Sequence, residues 1–126
     1  MKVYSQVTFF YYDDLKTACN FYEKIFKFEV VQDQKMAKIY RIGKSFFGVV
    51  DGKKGSLRPK AENAAMLTLI VDDVHEWYEY LKANNVKEIK SPASATYIES
   101  AFFMDPGGYV IEIQKFQNSD VQKEFE

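Results

Sequence analysis

The sequence predicts an α+β protein built from two consecutive βαβββ units. A strand-like segment, a pair of aspartates and an amphipathic helix occur twice, and Asp14 and Asp73 of the two pairs lie 59 positions apart (14 to 73). Each helix is followed by short apolar segments separated by turn residues, which is typical of antiparallel strands. A period of this length is too long for a solenoid and fits a duplicated half-domain. With 126 residues the chain can bury a core of its own.

The first unit begins with a strand predicted over Lys2–Tyr12, which is rich in β-branched and aromatic residues. Asp13-Asp14 ends this strand and supplies a helix N-cap. The helix is predicted from apolar residues at helical spacing, namely Leu15, Ala18, Phe21, Tyr22, Ile25 and Phe26. Three strands then follow, predicted over Phe28–Gln32, Ala37–Ile42 and Phe46–Val50.

The second unit repeats this order. Its strand is predicted over Met66–Val71, and its helix by Val74, Trp77, Tyr78 and Leu81 after Asp73. Asn84-Asn85 can end the helix, because asparagine tolerates the left-handed conformation. The remaining segments are a short strand Val86–Ile89, a loop Ser91–Thr96, and strands Tyr97–Met104 and Tyr109–Gln114. We therefore expect a single domain with unit one at 1–50, a connection at 51–65, unit two at 66–116 and a polar tail at 117–126, which frays or forms a short helix.

The last strand carries a single acidic side chain among its apolar residues. Asp105-Pro106-Gly107-Gly108 predicts the turn before it, since proline fixes φ and glycine accepts positive φ. In the strand, Val110, Glu112 and Gln114 share one face, opposite Tyr109, Ile111 and Ile113. On a concave interior face, Glu112 needs a metal, a hydrogen-bond partner or a ligand. The alternative is that Glu112 faces water.

Composition excludes several classes of protein. The 17 basic and 18 acidic residues nearly cancel and form no basic patch, so nothing predicts nucleic-acid binding. Cys19 is the single cysteine, which excludes an intramolecular disulfide and favours a reducing compartment. No apolar run is long enough to cross a membrane, and the first residues lack the apolar region of a signal peptide. A soluble cytoplasmic protein is expected.

The chain resembles the vicinal oxygen chelate superfamily, which includes glyoxalase I, extradiol dioxygenases, and bleomycin- and fosfomycin-resistance proteins. In unit one the resemblance depends on Asp14-Leu15, Phe21-Tyr22 and Ile25-Phe26-Lys27-Phe28. In unit two it depends on Val71-Asp72-Asp73-Val74 and on Asp105-Pro106-Gly107-Gly108-Tyr109-Val110-Ile111-Glu112-Ile113, which is similar to the family's Asp-Pro-Asp-Gly ending with a strand glutamate. The resemblance implies a glyoxalase/bleomycin-resistance-like fold of curled mixed sheets enclosing a cavity. It implies no particular activity.

The resemblance also implies where a metal would bind. Metal-dependent members typically take ligands from the first strand of each unit, often a histidine, and from the last strand, often a glutamate. The matching positions here are Val7, Met66 and Gly48, which are not ligands for a hard divalent ion, and Glu112. If the register of the first strand slips by one residue, Gln6 replaces Val7, and its amide is a weak neutral ligand. Catalytic metal sites normally use about three protein ligands, so no metal or other cofactor is expected, and Glu112 is a ligand only if such a site exists. The only histidine, His75, falls in the first turn of the second helix and is expected to be solvated.

The cavity implied by the resemblance gives a ligand-binding hypothesis. By strand parity its lining is predicted to be Val7, Phe9, Tyr11, Phe46, Gly48, Met66, Thr68, Phe102, Met104, Val110 and Glu112. This set is mostly apolar with one carboxylate, as in many small-molecule sites, although the same residues could simply fill a core. Phe21, Tyr22, Trp77 and Tyr78 are expected to pack helices on sheets.

The predicted function is metal-independent binding of a small hydrophobic or aromatic compound, with no identified catalytic residue. The alternative is a metal-dependent enzyme of the glyoxalase or dioxygenase kind, and a structural partner with a filled cavity is also possible. The units are expected to assemble as a homodimer or to close as a pair within one chain, and the homodimer is favoured because open sheets leave edges that associate.

Overall fold

The structure is a computed structural model that describes residues 1–59, 62 and 65–126. These residues contain eight strands and three helices, and the chain divides into two compact units, Met1–Glu62 and Asn63–Glu126. Residues 60, 61, 63 and 64, which belong to the predicted connection 51–65, lie outside the described residues. None of the helices in the described part of the chain is both long and apolar enough to span a membrane.

Unit one is a four-stranded mixed sheet with one helix. Its elements are β1 (Thr8–Tyr12), α1 (Leu15–Lys24), β2 (Glu29–Asp33), β3 (Ala37–Ile42) and β4 (Ser45–Asp51). The strand order is β1-β4-β3-β2, with β1 parallel to β4 and the other pairs antiparallel. Helix α1 carries the chain back across the sheet, so that β2 runs in the same direction as β1. The two antiparallel steps from β2 to β3 and from β3 to β4 then make β4 parallel to β1.

Helix α1 begins where the sequence predicts. Asp14 is the N-cap, and its side chain accepts a hydrogen bond from the backbone N–H of Thr17 at 3.1 Å. Tyr22 is fully buried and meets the Phe47 ring of β4 edge to face at 5.0 Å between ring centroids. The apolar stripe of α1 therefore packs on one face of the first sheet.

Unit two repeats this topology. Its elements are β5 (Met66–Ile70), α2 (Val74–Ala83), β6 (Lys87–Ser94), β7 (Ile98–Met104), β8 (Val110–Phe116) and α3 (Ser119–Lys123). The strand order is β5-β8-β7-β6, again with one parallel pair, β5 with β8. Two four-stranded mixed sheets of this topology confirm the predicted pair of βαβββ units.

The ends of α2 also follow the sequence signals. The Asp73 side chain accepts from the backbone N–H of Glu76 at 3.0 Å, and Asn84 is the C-cap. Asn85 adopts a φ of 60°, the left-handed conformation expected of it. Tyr78 of α2 contacts Phe103 of β7, with ring centroids 5.7 Å apart, so α2 covers one face of the second sheet.

Each sheet therefore has a helix-covered face and a helix-free face. On β8, Ile111 and Ile113 are fully buried on the helix-covered side, and Glu112 points to the other. Register extends this division across the second sheet, since Thr68 and Phe102 both pair with Glu112. In the first sheet, Phe9 and Gly48 pair on the equivalent helix-free face.

The first strand is shorter than predicted. It begins at Thr8, and the residues predicted as strand from Lys2 to Val7 lie outside it. Thr8 pairs with Phe47 in parallel register, so residue 6 lies opposite Ser45, the first residue of β4. The residues before position 6 therefore have no residue of β4 opposite them. β-Propensity alone cannot hold a strand that has no partner in its own unit.

Strand β6 is longer than predicted and includes most of the segment Ser91–Thr96 that the sequence assigns to a loop. Pro92 is tolerated here because β6 is the edge strand of its sheet. On the edge that faces away from β7, the missing N–H of proline removes no hydrogen bond between strands. The pairing with β7 also shifts register between Lys90 and Ala93, around Pro92. Other strand and helix ends differ from the predictions by about two residues, as expected of boundaries.

The polar tail forms the short helix α3. Asn118 caps it by accepting from the backbone N–H groups of Asp120 and Val121. Gln122 is 6% exposed and joins the tail to the sheet region, because its side chain accepts from the N–H of Phe116 at 2.9 Å and donates to the carbonyl of Val71 at 3.1 Å.

Candidate functional site

The Glu112 carboxylate lies on the helix-free face of the second sheet. β8 positions it between β5 and β7, with Thr68 and Phe102 as its cross-strand neighbours. Glu112 is only 5% exposed, so the alternative in which it faces water is wrong. A carboxylate in this position needs polar partners, because desolvation without them is costly.

Two side chains satisfy this carboxylate. The Thr68 hydroxyl donates to Oε1 of Glu112 at 2.8 Å. When the terminal amide of Gln114 is turned by 180°, its nitrogen donates to both carboxylate oxygens, each at 3.2 Å, and this orientation satisfies both groups. An ionised carboxylate has about four acceptor positions, so Glu112 retains capacity for one more donor.

The residues around this polar group are arranged in rows across three strands. Val110 pairs with Met66 on one side and with Met104 on the other, forming an apolar row. Gln114 pairs with Ser100 in a second polar row, and the two side chains are 9% and 7% exposed. The face thus combines sulfur-containing and aromatic side chains with one carboxylate and a few neutral polar groups.

Six of the predicted site residues belong to this face. They are Met66, Thr68, Phe102, Met104, Val110 and Glu112. The sequence prediction missed Gln114 and Ser100. Parity with Glu112 places Gln114 on this face from the sequence alone, whereas Ser100 follows only from the β7–β8 register.

The equivalent face of unit one carries no carboxylate at the position that matches Glu112. In the parallel strand pair of unit one, Phe9 pairs with Gly48, and in that of unit two, Thr68 pairs with Glu112. Phe9 therefore takes the place of the Thr68 hydroxyl, and Gly48 takes the place of the Glu112 carboxylate. A Cβ atom on Gly48 would overlap the Phe9 ring, which shows that this ring lies against the glycine. Glycine is therefore required here by the close approach of the ring.

The other predicted site residues of unit one are Val7, Tyr11 and Phe46. Tyr11 and Phe46 belong to β1 and β4 on the helix-free face, and the Arg41 guanidinium lies 5.0 Å from the centroid of the Phe46 ring. Val7 immediately precedes β1 and is half-buried. This face combines apolar and aromatic residues with the Arg41–Glu29 ion pair, in which Nε and Oε2 are 3.3 Å apart.

The metal-ligand positions implied by the family resemblance do not form a site for a divalent ion. Val7 and Gly48 offer no donor atom, and the thioether of Met66 is a soft ligand that suits ions such as Cu(I). Among the described residues there is no group of three or more histidine, cysteine, aspartate or glutamate side chains that could hold a metal ion. The Glu112 carboxylate is instead occupied by Thr68 and Gln114.

The remaining side chains of interest are structural or solvated. His75 lies in the first turn of α2, is 68% exposed at its side chain and has Nε2 3.6 Å from a Glu99 carboxylate oxygen. Tyr22 and Tyr78 contact sheet residues, as predicted. Phe21 contacts Tyr22, and Trp77 contacts Tyr80 on its own helix.

Comparison with known proteins agrees with this geometry. Residues 5–113 match the Glyoxalase/Bleomycin resistance protein/Dioxygenase superfamily. No curated protein matches the sequence.

Solved structures share the fold across nearly the whole chain. A lactoylglutathione lyase from Agrobacterium tumefaciens is 21% identical, with a TM-score of 0.72 over 87% of this chain and 91% of that chain. The fosfomycin resistance protein FosX from Listeria monocytogenes is 17% identical, with a TM-score of 0.76 over 97% and 99%. A structure from the mobile metagenome of V. Pseudocholerae, VPC_CASS1, is 26% identical, with a TM-score of 0.73 over 94% of this chain and 98% of that chain.

The family match spans both units and includes the Asp14-Leu15 and Asp105-Pro106-Gly107-Gly108 motifs, and the similar structures have the same fold. The resemblance identified from the sequence is thereby confirmed. The chain belongs to the Glyoxalase/Bleomycin resistance protein/Dioxygenase superfamily.

Proposed function

We propose that this protein binds a small hydrophobic or aromatic molecule on the helix-free face of its second sheet, without a metal ion. The observation that carries this proposal is the buried Glu112 carboxylate, held by Thr68 and Gln114 on an otherwise apolar face. Small-molecule sites commonly have this make-up, with apolar walls and a few fixed polar groups.

The chemistry of the face defines the ligand class. Phe102 offers an aromatic surface, and stacking of one aromatic pair contributes about 0.5 to 1.5 kcal/mol beyond area burial. Met66 and Met104 are flexible and polarisable, and they adapt to irregular apolar shapes. The free acceptor capacity of Glu112 favours a ligand that carries one hydrogen-bond donor or a positive charge.

The test is a thermal-shift screen of small aromatic compounds on the wild type and on Glu112→Gln. Donor-bearing compounds should stabilise the wild type and lose at least about tenfold in affinity in the variant, which corresponds to about 1.4 kcal/mol. Purely apolar compounds should bind both proteins equally. Glu99→Gln is the matched control, because it removes a carboxylate from the opposite face of β7.

Two results would refute the proposal. One is that no compound stabilises the wild type. The other is that Glu112→Gln and Glu99→Gln affect every hit alike, which would make Glu112 a structural residue.

Metal analysis separates this proposal from the alternative of a metal-dependent glyoxalase- or dioxygenase-like enzyme. The purified protein should contain no stoichiometric transition metal, and a chelator should leave its Tm unchanged. About one ion per chain, lost in Glu112→Ala, would favour the enzyme. The donor set supports the metal-free proposal, since Glu112 is the one carboxylate at the four positions implied by the family resemblance.

We also propose that the protein acts in the cytoplasm as a homodimer. Both sheets are open, and the edge strand β2 is exposed along its whole length, including the apolar Val30 and Val31. Exposed edges of this kind favour pairing with another chain. Light scattering should give the mass of two chains, and a monomeric mass over a wide concentration range would remove the dimer from the proposal.

A further inference from the structure

Unit one contains a groove between helix α1 and the β2–β3 hairpin, away from the helix-free face of its sheet. The cavity has a volume of about 390 Å³, which is within the range of small-molecule sites. Leu15 and Lys16 line it from the helix, and Lys35 and Ala37 line it from the hairpin. No residue of this groove belongs to the face proposed above for ligand binding.

The groove has an excess of positive charge. Its lining includes three lysines, Lys16, Lys35 and Lys38, and a single carboxylate, that of Asp33. Oδ1 of Asp33 accepts a hydrogen bond from the backbone N–H of Lys35 at 2.8 Å, and Oδ2 lies 3.9 Å from Nζ of Lys38. This carboxylate is therefore used in shaping the hairpin turn.

Lys38 also has a closer partner outside the lining. Its Nζ donates to Oε2 of Glu23 at 2.9 Å, and this bond raises the pKa of Lys38. By contrast, Lys16 and Lys35 are exposed and form no salt bridge with any residue that the structure describes. Neither ammonium group is held by a salt bridge among the described residues, and the Asp14 carboxylate, on which Lys16 acts electrostatically, lies outside the lining of the groove.

The two buried residues of the groove lining, Cys19 and Ala37, carry no charge at neutral pH. Cys19 is 8% exposed and interacts with Tyr40, whose hydroxyl donates to Oε2 of Glu23 at 2.8 Å. Burial raises the pKa of Cys19, so the thiol stays protonated at neutral pH. No thiolate opposes the positive potential of the two lysines.

We propose that this groove binds a small organic anion, with a carboxylate or phosphate between Lys16 and Lys35 and an apolar body against Leu15 and Ala37. The Asn20 side chain, which also lines the groove, offers a neutral amide donor. Lysine suits this role because its ammonium is a flexible point charge that can close on an anion. The inference concerns unit one and does not depend on the ligand proposed for Glu112.

Isothermal titration calorimetry with phenyl phosphate tests this site, with benzyl alcohol as the uncharged comparison. Phenyl phosphate should bind the wild type, and Lys16→Gln/Lys35→Gln should weaken binding by at least about threefold, the effect expected of two exposed charge pairs. Lys24→Gln/Lys44→Gln is the matched control, because it removes the same charge from exposed positions outside the groove. Binding should also weaken at high salt.

A second measurement uses the single cysteine of the chain as a reporter. Bound phenyl phosphate should slow alkylation of Cys19 by iodoacetamide in the wild type and in the Lys24/Lys44 control, but not in the Lys16/Lys35 variant. Should the thiol fail to react in the free protein, calorimetry alone decides. Absence of binding, equal binding of benzyl alcohol, or equal loss in the two double variants overturns the proposal. Glu112→Gln should leave this binding unchanged, so failure here is distinguishable from failure at the second sheet.

Discussion

Replacing Thr68 with valine tests the polar group around Glu112 directly. The Thr68 hydroxyl donates to Oε1 of Glu112 at 2.8 Å, a length typical of a charge-assisted hydrogen bond. Valine keeps the branched shape of threonine and removes only this donor. Glu112 is 5% exposed, so water has little access to replace the lost bond.

The magnitude follows from the charge on the acceptor. A hydrogen bond to a charged group contributes about 1.5 to 3 kcal/mol to stability, and leaving one partner buried incurs its desolvation penalty. We therefore expect Thr68→Val to lower the free energy of unfolding by about 1.5 to 3 kcal/mol. For a chain of this length that corresponds to a fall in Tm of about 5 to 10 °C.

Urea denaturation of five proteins, namely the wild type, Thr68→Val, Thr8→Val, Glu112→Gln and the Glu112→Gln/Thr68→Val double variant, measures this effect and its cause. Thr8→Val is the matched control, because the Thr8 hydroxyl bonds to the exposed Gln6 side chain, and its loss should cost no more than about 0.5 kcal/mol. In a Glu112→Gln background, Thr68→Val should cost only about 0.5 to 1.5 kcal/mol, since the acceptor is then neutral. The difference between the two backgrounds is the coupling energy of the pair.

An effect of Thr68→Val as small as that of Thr8→Val would refute a stabilising bond between Thr68 and Glu112. That bond would also be refuted if Thr68→Val cost the same in both backgrounds, because the loss would then come from packing. In either case Glu112 would not depend on Thr68 as the distance indicates.

Two further predictions concern packing in unit one and charge in unit two. Gly48→Ala should destabilise the protein by about 1 to 3 kcal/mol in urea, because the new Cβ overlaps the Phe9 ring, and a neutral result would show that the ring moves freely. Glu88 accepts from Lys82 at 2.8 Å and from Tyr78 at 2.9 Å, and these bonds lower its pKa in the folded state. The stabilisation by ionised Glu88 is therefore fully present above the pKa of the unfolded state and is lost as pH falls through the lower pKa of the folded state. The difference in urea midpoint between the wild type and Glu88→Gln should accordingly disappear on acidification. A difference that stays constant with pH would contradict this role of Glu88.

Local signals in the sequence determined the elements and their order. Asp14 and Asp73 cap the helices because a carboxylate accepts from the free N–H groups of a first turn, and this needs only neighbouring residues. The bounds of β3 agree with the predicted Ala37–Ile42, which lies between turn residues on both sides. The Asp105-Pro106-Gly107-Gly108 turn likewise depends on local backbone preferences, and Gly108 has a φ of 88°.

Strand limits at the sheet edges needed the tertiary structure. The residues from Lys2 to Val7 have strand propensity, yet β1 starts at Thr8, since a strand requires a neighbouring strand for its hydrogen bonds. Pro92 indicates a loop, yet it lies within β6 because that edge strand has no second partner to lose. Whether a segment has a neighbouring strand on one side, on both sides or on neither cannot be determined from its local sequence.

For the candidate site, the sequence predicts which strand residues share a face, whereas the tertiary structure determines which residues surround each side chain. Alternation along β8 placed Val110, Glu112 and Gln114 on one face, but burial of Glu112 and its bond to Thr68 depend on residues 44 positions apart in the chain. The groove of unit one is further from prediction, because it forms where a helix and a hairpin meet and no motif marks it. Periodicity specifies which way a side chain points, whereas what lies beside it is determined by long-range packing.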